Sequence, residues 1–271
     1  ASLTATTAAQ LASPRKRTQP ILPKYFRARE DCGERYRERK RTAMWKLFSK
    51  PAALLPENKT LPGRTKPIDE APRNKDKHFV LKGPLTAPFP DGSEMISLGM
   101  GCFWCSESLF WEMDGIISTH VGYQQGHTLN PTYKEVCSGA TNHNEVTRVV
   151  YDPKKCPLKN ILKVFFESHD PTQVMGQGND TGTQYRSGIY YYDEKQKDII
   201  DSCLKSYQTA LTEKRKGKIA TEVEPAKAFY YAEIYHQQYD AKPGSRQYCG
   251  LRPLGISMPK DNKEEVEKTD E

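Results

Sequence analysis

The stretch Met95-Ile-Ser-Leu-Gly-Met-Gly-Cys-Phe-Trp-Cys105 decides how this chain builds its fold and its chemistry. Residues 95–101 form an apolar run typical of a buried strand, and residues 103–113 have the apolar spacing of a helix. Cys102 is therefore predicted at a junction between strand and helix, close to free backbone N–H groups and the positive end of the helix dipole. Both favour the thiolate, which is the nucleophilic form of cysteine. Cys102 is thus the first candidate for a catalytic residue.

Strand-like and helix-like patterns alternate after this stretch. Further strands are predicted over residues 116–123, 145–151, 187–192 and 219–223, and further helices over residues 158–168, 194–214 and 235–240. Mixed strands and helices of this kind favour an α+β domain. We predict a two-layer sandwich with a mixed, ferredoxin-like central sheet, flanking helices and a long irregular C-terminal segment.

Charge divides the chain into a leader, a domain and a tail. Residues 1–50 hold 13 of the 41 Lys and Arg residues but only 4 of the 34 Asp and Glu residues. We predict a mostly disordered basic leader and linker over residues 1–78, a domain over 79–259 and a charged disordered tail over 260–271. The first 29 residues have six Lys or Arg and no acidic residue. This composition is typical both of a transit peptide, here within residues 1–43, and of an ordinary basic tail.

These features also bear on the compartment and the partners. If the leader is a transit peptide, the protein is mitochondrial or belongs to another organelle, and otherwise it is cytoplasmic. Seven cysteines with irregular spacing indicate a reducing compartment with working thiols rather than a secreted disulfide scaffold. No apolar run approaches the ~20 residues that a membrane span needs. The basic character is confined to the leader, so it predicts no nucleic-acid partner for the domain.

Four segments of the domain are richer in polar groups than a core requires: residues 130–139, 142–148, 169–187 and 235–250. Together with the first stretch they carry the blocks GCFWC, NPTYKEVCSG, HNEVTRVVYDP, HDPTQ, QGNDTGTQYRS, YYAEIYHQQY and YCG, in this order. This set closely resembles the A-type peptide methionine-(S)-S-oxide reductases over about residues 79–258. A single Cys-x-x-Cys motif would be weak support, whereas seven ordered blocks make coincidence negligible.

The resemblance implies a role for each site residue. Cys102 corresponds to the cysteine that attacks the sulfoxide sulfur, and Glu145 to the carboxyl that gives a proton to the sulfoxide oxygen. Phe103 and Trp104 correspond to the aromatic pair that holds the S-methyl group of the substrate. The remaining positions are the groups that bind the oxygen and its surroundings, Tyr133, Tyr185 and Asp180, and the recycling cysteine, Cys249.

The chemistry of sulfoxides agrees with these roles. A sulfoxide is a poor electrophile until its oxygen is protonated, so Glu145 must hold a proton near neutrality, which burial among aromatic rings favours. Attack leaves methionine and a sulfenic acid on Cys102, which a second thiol converts to a disulfide. The resemblance implies that thioredoxin reduces this disulfide. It also implies that the S epimer is the substrate, in proteins or free, and that a monomeric enzyme repairs oxidised proteins. No metal or organic cofactor is expected, because sulfur donors carry the electrons.

Two positions depart from the family pattern. Cys105 stands where many relatives have glycine or another residue without a thiol, and Ser257 occupies the place of a second C-terminal cysteine. We hypothesise that Cys105 competes with Cys249 as the thiol that resolves the sulfenic acid. The sequence leaves open which of the two cysteines does so.

Other functions fit these residues less well. A thioredoxin-like dithiol oxidoreductase usually has Gly-Pro or a similar pair between its thiols, and here two bulky aromatic residues stand there. A zinc site lacks a second closely spaced ligand pair, because His120, His127 and His143 are scattered. A fold that only binds oxidised methionine would not need the complete set of reactive residues.

Overall fold

The computed structural model describes residues 53–245 and 249–259. The strands are β1 Glu94–Met100, β2 Ile116–Gln124, β3 Asn144–Tyr151, β4 Gly176–Gln177, β5 Asp180–Thr181, β6 Ser187–Tyr191, β7 Glu222–Pro225 and β8 Tyr230–Tyr231. Six of them form a mixed sheet with the order β7-β6-β1-β3-β2-β8, and β4 and β5 form a separate hairpin. All pairs in the large sheet are antiparallel except β6 with β7, which is parallel. β1 and β3 are therefore neighbours at the centre of the sheet.

Helices flank this sheet in the described part of the chain. The α-helices are α1 Phe103–Glu107, α2 Tyr133–Cys137, α3 Leu158–Ser168 and α4 Glu194–Glu213, and the short 3-10 helices are Glu57–Lys59, Thr183–Tyr185 and Tyr239–Ala241. α3 begins and ends where its apolar stripe predicts. The predicted α+β class, with a mixed sheet and flanking helices, is confirmed.

Two helices are shorter than the sequence predicts. α1 ends at Glu107 rather than near residue 113, and the chain continues through turns such as the bond from the Phe110 N–H to the Glu107 carbonyl (3.1 Å). The predicted helix over residues 235–240 is present only as the 3-10 helix Tyr239–Ala241. Its start is set by Gln238, whose left-handed backbone (φ 47°) interrupts any preceding helix.

The core lies between the sheet and the two long helices. Phe165 and Phe166 of α3 are fully buried, and the Phe166 ring stacks on Tyr207 of α4 with 5.0 Å between centroids. Burial of each such side chain stabilises the fold by about 1.5–3 kcal/mol. This packing makes the sheet a rigid frame, and the site residues stand at the ends of its central strands.

Residues 53–66, here called the arm, lie along the domain ahead of β1. The Leu61 N–H donates to the carbonyl of Ala140 (2.9 Å), and the Arg64 N–H donates to the carbonyl of Leu129 (2.9 Å). Gly63 allows this approach, because its φ is 77° and a Cβ there would lie 2.0 Å from the Leu129 carbonyl oxygen. The arm therefore holds the segment between β2 and β3.

Several sequence expectations fall on residues outside this description. The possible transit peptide, most of the predicted leader and the charged tail lie before residue 53 or after residue 259. Within residues 53–245 and 249–259, none of the helices combines the length and apolar character that a membrane crossing requires.

Candidate active site

Cys102 lies between the end of β1 and the start of α1, as the sequence predicts. Gly101 makes the turn possible, because its φ is 92° and a Cβ there would lie 2.6 Å from the Cβ of Gln177. Cys102 itself is only 9% exposed. The nucleophile candidate is thus almost wholly enclosed by protein.

Glu145 is the second residue of β3, the strand that pairs with β1. It is 1% exposed, and one of its carboxyl oxygens accepts a hydrogen bond from the Phe103 N–H (3.3 Å). Because Phe103 adjoins Cys102 in the chain, this bond brings a buried carboxyl to the start of α1, beside the thiol. A carboxyl so placed can transfer a proton to an oxygen bound near the sulfur.

Four aromatic rings surround this point. The Phe103 ring lies parallel to Tyr133 with 6.4 Å between centroids, and the Trp104 ring lies 6.3 Å from Tyr133. Trp104 also stacks on Tyr239 with 4.4 Å between centroids and an interplanar angle of 20°. We call Phe103, Trp104, Tyr133 and Tyr239 the aromatic box. It brings together three residues predicted from the sequence and one, Tyr239, that sequence reasoning did not assign.

Buried polar groups fix the orientation of the box. The indole N–H of Trp104 donates to Nδ1 of His236 (2.9 Å), and the Tyr133 ring packs on the His236 ring at 4.5 Å. Burial lowers the pKa of His236 to about 3, so the imidazole is neutral and its proton is on Nε2. Glu233 accepts the Tyr133 backbone N–H (2.9 Å) and so anchors the first residue of α2.

Three thiols, those of Cys102, Cys105 and Cys249, meet at α1 and shift one another's pKa. The hydrogen bond between Cys102 and Cys105, with burial as the second cause, raises the pKa of Cys102 well above its ordinary value. The same bond, supported by the Gly250 N–H (3.4 Å to Sγ) and by Cys249, lowers the pKa of Cys105. The thiolate that the sequence predicts at Cys102 stays a prediction, and within the pair this hydrogen bond favours ionisation of Cys105.

Asp180 and Tyr185 come from the segment between β4 and β6. Asp180 belongs to β5 and pairs with Gln177 of β4, and Tyr185 ends the 3-10 helix that follows. Both residues are half-buried. The hairpin meets the Cys102 turn at Gln177, whose side chain packs against Gly101. The predicted oxygen-binding residues thus come from three elements: Tyr133 from α2, Asp180 from this hairpin and Tyr185 from the 3-10 helix after it.

Sequence reasoning missed several residues that shape the site. Glu233, His236 and Tyr239 recur at intervals of three within the block YYAEIYHQQY, and side chains at this interval share one side of successive tight turns. This three-residue interval is the sequence feature from which their position on one side of the site could have been predicted. Glu107 gave no signal, because a single glutamate in a short helix is usually solvated. His143 lies deeper, where its Nε2 bonds the Thr128 carbonyl (2.7 Å) and supports the loop.

Known proteins match this chain over most of its length. A family model described as "Peptide methionine sulfoxide reductase" matches residues 94–269. Peptide methionine sulfoxide reductase MsrA 1 of Synechocystis sp. is 51% identical over 215 residues, which cover 79% of this chain and 94% of that protein. The MsrA of Saccharophagus degradans is 50% identical over 217 residues, which cover 79% of this chain and 99% of that protein.

Solved structures give the same class. Methionine sulfoxide reductase A of Corynebacterium diphtheriae superposes with a TM-score of 0.62 and 37% identity, covering 74% of this chain and 99% of that one. Reduced Mxr1 from Saccharomyces cerevisiae superposes with a TM-score of 0.56 and 35% identity, covering 62% and 95%. The fold and the matches together define a peptide methionine sulfoxide reductase. Within that class, the chain belongs to the A-type family.

Proposed function

We propose that this enzyme reduces the S epimer of methionine sulfoxide, in proteins or free, to methionine, and that it repairs oxidised proteins as a monomer. The observation that carries the proposal is the bond from the Phe103 N–H to Glu145 (3.3 Å), which keeps a buried proton donor beside Cys102. The aromatic box offers an apolar surface for the S-methyl group. A pocket with a fixed acid on one side and a fixed apolar surface on the other accepts one arrangement of oxygen and methyl about sulfur, which supports selection of a single epimer.

In the reductive step, the Cys102 sulfur attacks the sulfoxide sulfur while Glu145 protonates the sulfoxide oxygen. The S–O bond of the substrate breaks, methionine leaves, and the hydroxyl ends on Cys102 as a sulfenic acid. The proton of the Cys102 thiol passes to Cys105, which is the better thiolate of the pair. Tyr133, with Asp180 from the hairpin and Tyr185 from the 3-10 helix after it, binds the oxygen and its surroundings.

In the recycling step, Cys105 attacks the sulfenic sulfur, forms a disulfide with Cys102 and releases water. Cys249 is exposed and hydrogen-bonded to Cys105, which suits it to attack the Cys105 sulfur of this disulfide. That exchange frees Cys102 and leaves a disulfide between Cys105 and Cys249. The dithiol of thioredoxin reduces it. Sulfur supplies the electrons throughout, so the cycle needs no metal or organic cofactor.

The first test is NADPH consumption coupled to thioredoxin, with each epimer of methionine sulfoxide. We expect turnover of the S epimer alone, abolished in Cys102→Ser and reduced in Glu145→Gln. Cys203→Ala, which removes a thiol buried in α4, is the matched control and should retain turnover. Absence of turnover with both epimers, together with reduction of generic disulfides, would reassign the site to a dithiol oxidoreductase.

A second test separates the reductive step from recycling. Without reductant, we expect one methionine per enzyme from Cys249→Ser. The wild type should release up to two, because the exchange that forms a disulfide with Cys249 frees Cys102 for a second attack. Cys105→Ser should slow this first turnover about tenfold, because the proton acceptor is lost. Peptide mapping after one turnover should find the disulfide between Cys102 and Cys105 in Cys249→Ser. A disulfide only between Cys102 and Cys249 in wild type, formed at the same rate in Cys105→Ser, would contradict the role of Cys105.

A further inference from the structure

Glu107 is a buried carboxyl that the proposed chemistry does not use. It is the last residue of α1, and its side chain is fully buried. Its two oxygens accept hydrogen bonds from the Gln238 N–H (2.7 Å), the Gln238 side-chain amide (2.7 Å) and the Thr119 hydroxyl (2.9 Å). Burial raises the pKa of Glu107 to about 7. Burying a carboxyl costs free energy unless hydrogen bonds compensate for the lost water. The bonds from Gln238 and Thr119 provide this compensation and tie Glu107 to both residues.

The residue that Glu107 holds lies between the two groups that fix Trp104. Gln238 has a left-handed backbone, with φ 47° and ψ 45°, which costs a residue other than glycine about 1 kcal/mol or more. Two residues before it, His236 accepts the Trp104 indole N–H (2.9 Å). Directly after it, the Tyr239 ring stacks on Trp104 (4.4 Å). The strained residue thus turns the chain so that both neighbours face the same indole.

α1 therefore binds the segment over residues 236–239 at two points one turn apart. Trp104 makes the first contact and Glu107 makes the second, and the two residues are separated by a single helical turn. Because Glu107 binds both the backbone and the side chain of Gln238, it fixes the position and the rotation of that residue. The side-chain amide oxygen of Gln238 in turn accepts a hydrogen bond from the Phe79 N–H (3.1 Å). Gln238 therefore also connects α1 to the chain before β1.

We propose that Glu107 is a positioning residue for substrate binding: through Gln238 it keeps His236 and Tyr239 against Trp104 and so sets the shape of the methyl pocket. The proposal rests on the proposed function, since it requires Trp104 to contact the S-methyl group. Loss of the Glu107 carboxylate should loosen Trp104 and weaken binding of the sulfoxide. It should leave the reactive groups, Cys102 and Glu145, in place.

The test compares Glu107→Gln with Glu112→Gln, a matched carboxyl-to-amide change at an exposed position five residues further on. With N-acetylmethionine S-sulfoxide, we expect KM to rise about tenfold in Glu107→Gln, because an amide hydrogen replaces an acceptor opposite a Gln238 donor. The single-turnover rate at saturating substrate should stay within about threefold of wild type. Glu112→Gln should change neither quantity.

A double-mutant cycle with Trp104→Ala distinguishes positioning from general destabilisation. If Glu107 acts through Trp104, the double variant should have the KM of Trp104→Ala alone, whereas independent effects would multiply. Gln238→Ala, which removes the same contact from the other side, should reproduce the rise in KM even if Glu107→Gln folds poorly. The proposal is overturned if Glu107→Gln and Gln238→Ala lower Tm with KM unchanged, or if the effects of the cycle multiply. A wild-type enzyme without sulfoxide turnover, or a Trp104→Ala variant with normal KM, would instead refute the proposed function and this inference with it.

Discussion

The arm should contribute to activity through the ion pair of Arg64 with Glu135, and we predict that Arg64→Gln impairs both stability and turnover. The two terminal guanidinium nitrogens of Arg64, Nη1 and Nη2, donate to the Glu135 carboxylate at 2.9 and 2.7 Å. The same carboxylate accepts the Thr132 N–H (2.8 Å) and completes the capping box of α2, the helix that Tyr133 opens. Loss of Arg64 would therefore loosen the cap of the helix that positions a residue of the aromatic box.

The magnitude follows from the exposure and the geometry of the pair. The side chains of Arg64 and Glu135 are 37% and 25% exposed, so solvent screens their attraction, and an ordinary pair of this kind contributes under about 1 kcal/mol. The two parallel bonds and the cap raise this value, and we expect a coupling free energy of about 1 kcal/mol and a fall in Tm of about 2–4 °C. The hydrogen bond from Arg64 lowers the pKa of Glu135. The pair therefore stabilises the fold above the ordinary pKa of a glutamate, and this contribution is lost as pH falls through the lowered value.

The assay is a double-mutant cycle of Arg64→Gln and Glu135→Gln, measured by urea unfolding at pH 7 and repeated at low and high salt. The pair of Lys197 with Asp201, on the exposed side of α4, is the control and should give a smaller coupling. Turnover of methionine sulfoxide should fall about two- to fivefold in Arg64→Gln, and Arg64→Lys should recover part of it, because lysine keeps the charge but not the second bond. A coupling equal to that of the control, with turnover unchanged, would refute this reasoning.

Three further predictions concern charge and backbone. Burial raises the pKa of Glu107 from 4.5 to about 7. Because the folded state then holds this proton more tightly, the free energy of unfolding should fall by about 3 kcal/mol as pH rises from 4 to 8. In Glu107→Gln, urea unfolding across that pH range should no longer show this fall. An unchanged slope would contradict the assignment. Although the Cys249 side chain is exposed, partial desolvation of its thiol raises its pKa, as do the neighbouring Cys105 thiol and Asp240. Asp240→Asn should therefore make Cys249 alkylate with iodoacetamide at a lower pH, and an identical alkylation profile would argue against this contact. Gly63→Ala should destabilise the protein by more than about 2 kcal/mol, because strain and a carbonyl clash add. Gly92→Ala is the control, because Gly92 has a similar φ of 79° but open space around it, so only backbone strain acts there. Equal losses in Tm for the two variants would show that the clash with the Leu129 carbonyl contributes nothing.

Local periodicity predicts the elements that bury one continuous apolar stripe. α3 carries its own stripe, so its bounds, Leu158–Ser168, agree with the prediction. α1 is different, because the apolar residues up to position 113 continue the helical spacing, yet the helix ends at Glu107. What fixes Glu107 is Gln238, which lies 131 positions later in the chain. No window of sequence contains both residues, so a tertiary contact of this kind overrides the local pattern.

The candidate site likewise contains some neighbours that the sequence predicts and others that only the folded structure brings together. Cys102, Phe103 and Trp104 are adjacent in sequence, so their motif alone places them together. Glu145 reaches them because β3 pairs with β1, a pairing that the motif order suggests but does not specify. The groups that fix Trp104 come from the segment after β8, whose backbone has no regular period. Only the folded structure shows that His236 and Tyr239 contact the Trp104 indole, because that segment must first pack on α1.

The position of Cys105 resolves a conflict between binding and reactivity. A pocket for a methyl group must be apolar, and the burial that this requires acts with the Cys105 hydrogen bond to raise the pKa of Cys102, the nucleophile candidate. A helix of five residues offers little compensation from its dipole. Cys105 lies three positions on, and its hydrogen bonds with the Cys102 thiol and the Gly250 N–H lower its pKa. In the proposed mechanism Cys105 therefore accepts the Cys102 proton at the moment of attack. Under that proposal, the second thiol of GCFWC acts before the sulfenic acid forms as well as after it.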